Sequence, residues 1–175
     1  MANPVLLAIG GTGQHVALAA ARISFLGALP PMRLLTVDAD DRGPLSERLK
    51  TFGGTVKSGL SEHPFEDGDR IFQPFDRGKL SNPRFSDLFL DSTSSASERE
   101  TFELLFDEGA AGISVNDGMF GQPSVGATIF AQNKDAQLRD VFTAIGNASH
   151  VFVAGSFIGG TGAGIVHQLV RAITT

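Results

Sequence analysis

Pro4-Val5-Leu6-Leu7-Ala8-Ile9 runs straight into Gly10-Gly11-Thr12-Gly13. An unbroken apolar run suits a strand buried on both faces of a parallel sheet; a strand with one wet face would alternate. From about Gln14 to Ala28, the residues Val16, Ala19, Ala20, Ile23 and Leu26 recur at helical spacing. They predict a helix that packs by that face and stops at Pro30-Pro31. A second apolar run, Arg33 to Val37, ends in Asp38-Ala39-Asp40. Strand, glycine loop, helix, strand and acidic turn make a βαβ unit, and with it an α/β fold.

The end of the chain repeats the plan. His150–Ala154 reads as a strand, and Gly155-Ser156-Phe157-Ile158-Gly159-Gly160-Thr161-Gly162-Ala163-Gly164 follows it. A helix is predicted from about Ala163 to Ile173. In a parallel sheet both glycine segments fall at the carboxyl edge, where ligands bind. A helix N-terminus carries unpaired N–H groups and partial positive charge, and glycine lets backbone approach an anion without a Cβ between. Gly10, Gly11 and Gly13, and Gly159, Gly160, Gly162 and Gly164, are therefore candidate phosphate contacts, with Thr12 and Thr161 as hydroxyl donors. Two converging loops suit a di- or triphosphate. Each segment alone also reads as a tight turn, and each threonine as loop packing. There is no G-x-x-x-x-G-K-[ST], and the first loop lacks the third glycine of G-x-G-x-x-G.

The middle of the chain is less sharply patterned. Leu45–Phe52 predicts a short helix, Arg70–Phe75 a short edge strand and Phe85–Leu90 a helical turn. Ser97 and Glu100 have capping-box spacing for a helix through Phe106. An apolar helix or strand is expected near Ala127–Ala131. Asp135–Ile145 reads as an amphipathic helix with Leu138, Val141, Phe142 and Ile145 inward. Phe72, Phe75, Phe85, Phe89, Phe102 and Phe106 are expected in a core.

Composition sets outer bounds. The 175 residues are one domain's worth of chain, 1–175, with 42% apolar residues to fill a core. With no cysteine, disulfides, thiolate zinc sites and thiol catalysis are excluded. A net charge of −5 disfavours a nucleic-acid backbone binder. No apolar run is long enough to span a membrane and no secretory signal is visible, so a cytoplasmic protein is expected.

Four motifs in order resemble the tubulin/FtsZ superfamily, in particular its divergent bacterial members. Gly159-Gly160-Thr161-Gly162-Ala163-Gly164 resembles the signature GGGTG[ST]G, with Ile158 and Ala163 as departures. Gly118-Met119-Phe120-Gly121-Gln122-Pro123-Ser124-Val125-Gly126 is similar to the family's third phosphate loop. Gly10–Gln14 resembles the first loop, and Thr36-Val37-Asp38-Ala39-Asp40 the second. The resemblance implies a Rossmann-like three-layer domain with a mostly parallel sheet, binding GTP or GDP with Mg2+. It carries Gly121, Gln122, Pro123, Gly126 and Ala163 into the site, and gives Gln14 the place of the family's guanine-contacting Asn. Asp38 and Asp40 would meet the ribose or a hydrated magnesium; the alternative is an acidic turn that caps the next helix. It further implies self-association of the intact protein into a polymer that hydrolyses GTP at subunit junctions. The family's acidic catalytic loop has no counterpart, so the chain reads as the front part of the domain, with little turnover of its own. A nucleotide sensor without turnover and an NAD-binding Rossmann domain are the alternatives.

Overall fold

The computed structural model describes residues 3–30, 32–39, 43–59, 71–72, 83–115 and 118–174. The first unit is β1 (Val5–Ile9), α1 (Gly10–Phe25) and β2 (Arg33–Val37). Then come α2 (Pro44–Gly59), a two-residue β3 (Ile71–Phe72), a 3-10 turn (Ser86–Leu88), α3 (Ala96–Leu105) and α4 (Glu108–Ala111). The chain continues through α5 (Pro123–Ile145), β4 (Val151–Gly155) and α6 (Gly160–Thr174). The four strands form one parallel sheet in the order β3-β2-β1-β4. This is the inner part of a doubly wound, Rossmann-like order.

Strand alternation divides the core between the two faces. Val5, Leu7 and Ile9 of β1 pack with Phe130 and Val141 of α5 and Ile165 and Leu169 of α6. Leu6 and Ala8 turn the other way, onto Ala17 and Ala21 of α1 and Leu49 and Phe52 of α2. Three layers follow, and all five residues of β1 are buried, as an unbroken apolar strand requires. A further cluster gathers under α3 and α5 around Phe85, with Phe102, Met119, Val125 and Ile129.

Several expectations are corrected. The first glycine segment is not a loop before a helix: α1 starts at Gly10, and its first turn is Gly10–Gly13. Pro30-Pro31 does not end α1. Gly27 does, at φ +76°, with Gly27 N–H donating to Ser24 O and Ala28 N–H to Ile23 O, a Schellman closure. The buried face of α1 is Gly13, Gln14, Ala17, Leu18 and Ala21, while Val16, Ile23 and Leu26 are exposed. Small residues win the sheet side because α1 lies almost on the backbone of β1 and β4. A Cβ at Gly13 would come 2.6 Å from Ala154 O and 2.8 Å from Ala8 C.

The capping box sits two residues earlier than expected. Ser95 Oγ accepts from Glu98 N–H at 3.3 Å, and Glu98 Oε2 accepts from Ser95 N–H at 2.7 Å. The segments near Ala127–Ala131 and Asp135–Ile145 belong to one 23-residue helix, begun by Pro123 at a position where a missing N–H costs nothing. Within it Phe142 is exposed rather than inward. α2 runs to Gly59, beyond Phe52, and α6 starts three residues before the expected Ala163.

Candidate functional site

β1 and β4 are neighbours, with Ile9 paired to Gly155 at their carboxyl ends. Their chains leave for opposite faces, β1 into α1 and β4 into α6. That is a topological switch point, where open α/β sheets form a crevice. The two glycine segments border it and touch: a Cβ on Gly10 would lie 3.0 Å from Gly162 N. The third segment joins from the other side of α6. A Cβ on Gly126 would lie 2.5 Å from Gly160 O, and one on Gly164 2.6 Å from Pro123 O. The N-termini of α1, α6 and α5 therefore stand side by side at one sheet edge.

These three helix starts differ from the others. Ile9 cannot cap α1, and Gln122 makes no side-chain cap on α5. α6 follows Gly159, whose carbonyl accepts from Ala163 N–H at 3.0 Å and which has no side chain to cap with. None of the three carries an acid in its first turn. By contrast α3 and α4 are capped by Ser95 and Asp107, and α2, α3 and α4 all have a first-turn glutamate. Among the described residues, these three positive helix ends have no carboxylate from their own first turns, as the starts of α2, α3 and α4 do.

The glycines divide into two groups. At Gly13, Gly126, Gly160, Gly162 and Gly164 a Cβ would run into protein backbone, with Ser156 O 2.7 Å from the Gly162 position and Met119 against Gly160. These five let the helices approach each other, the strands and the loop before α5; they do not keep a space open for an anion. At Gly11, Gly121 and Gly159 a Cβ would meet nothing within 4 Å. Gly11, Thr12, Gly121 and Pro123 are exposed; Gln122, Gly159 and Ala163 are half-buried; Thr161 is buried. Gly121 also needs its freedom locally, at φ +74° directly after Phe120 at φ +41°.

Gln14 and Asp38 are brought together, though not at the crevice mouth. Gln14 is 2% exposed and Asp38 6%. Gln14 Nε2 donates to Asp38 Oδ2 at 2.7 Å, and Ser46 Oγ donates to Gln14 Oε1 at 2.9 Å. The group ties α1, the end of β2 and α2 together. Ser46 has no motif around it, and only the packing of α2 brings it to Gln14. Asp40 lies outside the described residues. Asp38→Ala would leave the buried Gln14 amide without this acceptor, and a lost buried partner costs about 1–3 kcal/mol. A drop of that size is expected in urea unfolding followed by circular dichroism. Unchanged stability would show that Asp38 does not brace the fold.

Among the described residues no group of three His, Cys, Asp or Glu is placed to hold a metal. No helix, among the described residues, is long and apolar enough to cross a membrane. Compared with protein-family models and with curated proteins, the chain matches none.

Proposed function

We propose that the chain binds a nucleoside di- or triphosphate, with its phosphates over the N-termini of α1, α6 and α5. The observation that carries this reading is that these three helices start together at the switch point, uncapped by side chains and without acids in their first turns. Gly11, Thr12, Gly121 and Gly159 offer the approachable backbone and hydroxyl. Guanine as the base, GTP or GDP as ligand, and self-association of the intact protein rest on the resemblance to the tubulin/FtsZ superfamily. Magnesium would arrive on the phosphates and neutralise part of their charge.

A second reading, an NAD-binding Rossmann domain, is favoured by the strand order and by an acid at the end of β2, the ribose-binding position of dinucleotide sheets. It is weakened by Asp38 being buried and holding Gln14.

The absence of Trp and Tyr makes the first test simple, because bound nucleotide would dominate the ultraviolet spectrum of the purified protein. Calorimetry with GDP, GTP, ADP and NAD then ranks the ligands, and a mononucleotide is expected to bind tightest. Stronger binding of NAD than of any mononucleotide would overturn the proposal. Gly11→Ala and Gly159→Ala place a methyl in open space at this edge. Each is expected to weaken nucleotide binding about tenfold, the worth of one charge-assisted hydrogen bond, without lowering the melting temperature.

A further inference from the structure

Among the described residues β4 is an edge strand, with β1 on one side and no strand on the other. Val5 N–H donates to His150 O at 2.9 Å, in a register that pairs Val5 with Val151. In a parallel ladder a residue bonds to those before and after its partner, so His150, Phe152 and Ala154 turn their main-chain groups to β1. Those of Val151 and Val153 point out of the sheet. Edge strands are normally protected by charge, proline or a bulge. Val151-Phe152-Val153-Ala154-Gly155 has neither charge nor proline, and its pairing with β1 runs without a bulge.

Both helix layers leave apolar flanks at the same edge. Gly13 seats α1 over β1 and β4, and α2 holds one side of α1, through Gln14 and Ser46 and through Phe25, whose ring lies 6.0 Å from that of Phe52. At 3.6 residues per turn, Val16, Ala20 and Ile23 fall on the opposite flank, toward the open edge. Val16 and Ile23 are each 43% exposed. On this face of the sheet Ala154 packs with the α1 cluster, while Phe152 is left 54% exposed. On the other face α6 meets α5 by Gly164 and Gln168. Its opposite flank carries Val166, which lies against Gly155, and one turn later Val170, 38% exposed.

A lone strand added here would fill only the middle layer. The same edge turned about a two-fold axis normal to the sheet fills all three. Pairing the outward groups of Val151 with those of Val153 in a second copy, and the reverse, sets Phe152 opposite its own counterpart. α1 and α6 each lie over both β1 and β4. With strands about 4.8 Å apart, each helix then stands about 10 Å from its counterpart, the distance at which helices pack. α1 meets α1 through Val16, Ala20 and Ile23, and α6 meets α6 through Val170.

We propose that two copies of this chain join antiparallel along β4 into one continuous sheet, four strands from each, with α1 and α6 each packed on its counterpart. The contact lies along the side of the sheet rather than at the carboxyl ends of its strands, so it needs no nucleotide.

Sedimentation equilibrium of the whole chain, with and without GDP, is expected to give a reversible dimer of 18.4 kDa subunits in both cases. Phe152→Lys in the strand and Ile23→Lys in a helix layer, both on exposed side chains, should each weaken it at least tenfold with the circular dichroism spectrum unchanged. The chain has no cysteine, so Phe152→Cys reports the register. Facing residues of a non-hydrogen-bonded pair stand about 4.5 Å apart between Cα atoms, within the reach of a disulfide. Mild oxidation should therefore cross-link this variant rapidly, and Leu104→Cys, 86% exposed on α3, far more slowly. A monomer at every concentration, or a dimer that forms only with nucleotide, would overturn the proposal. So would a dimer that survives either lysine variant, or a Phe152→Cys chain that cross-links no faster than Leu104→Cys.

Discussion

Gly13→Ala is expected to cost about 3 kcal/mol of stability, while Gly11→Ala, two residues earlier in the same motif, costs nothing. At Gly13 the new Cβ meets the backbone of two strands: Ala154 O at 2.6 Å, and Ala8 C at 2.8 Å and Cα at 3.1 Å. None of these is a side chain that can turn away. Relief requires α1 to lift from β1 and β4, and such overpacking costs typically 1–3 kcal/mol or more. At Gly11 the same methyl meets nothing within 4 Å, and the residue lies in the first turn of a helix. Alanine there gains up to about 1 kcal/mol of helix propensity over glycine. In a domain of this size the Gly13 variant should melt roughly 6–12 °C lower. Urea unfolding by circular dichroism should separate the pair by about 3 kcal/mol. Equal stabilities would mean that α1 is not seated on the sheet as described. The same contrast separates fold from ligand, because Gly11→Ala touches only the open side of the helix end.

Phe85→Ala is expected to be as damaging or more so, at about 3–5 kcal/mol, the usual cost of emptying a buried phenylalanine site. Phe85 is fully buried, and three rings close on it: Phe106 at 4.8 Å, Phe89 at 5.2 Å and Phe102 at 5.6 Å between centroids. The effect should reach the sheet edge. Met119 belongs to the same cluster and lies against Gly160, so the cluster supports the loop that brings α5 beside α6. The expected result is a lower urea midpoint with an unchanged slope. It should be accompanied by weaker nucleotide binding, even where the variant is still fully folded. A loss below about 1 kcal/mol would show the rings to be loosely packed and the cluster dispensable.

Much of the layout is legible along the chain because local rules suffice for it. β1 and β2 need only an unbroken apolar run and a turn behind each. Both glycine segments stand where a strand hands over to a helix, so the two helix starts at the crevice follow from their neighbours. The Phe85 cluster is foreshadowed by Phe85, Phe89, Phe102 and Phe106 lying close together in sequence, although Phe89 stays 36% exposed. Other features are set between distant segments. α1 is apolar on both sides, so spacing alone cannot choose its buried face; the sheet chooses Gly13, Ala17 and Ala21, because only small side chains allow so close an approach. The strand order that places Gly10 against Gly162 joins residues 152 positions apart and has no local signature. Nor can a glycine's sequence position tell whether it faces open space, as Gly11 and Gly159 do, or another backbone, as Gly13 and Gly162 do. Gln14 looks like a ligand contact from its place in the motif. It becomes a buried brace only because β2 delivers Asp38, and α2 delivers Ser46, to within hydrogen-bonding distance.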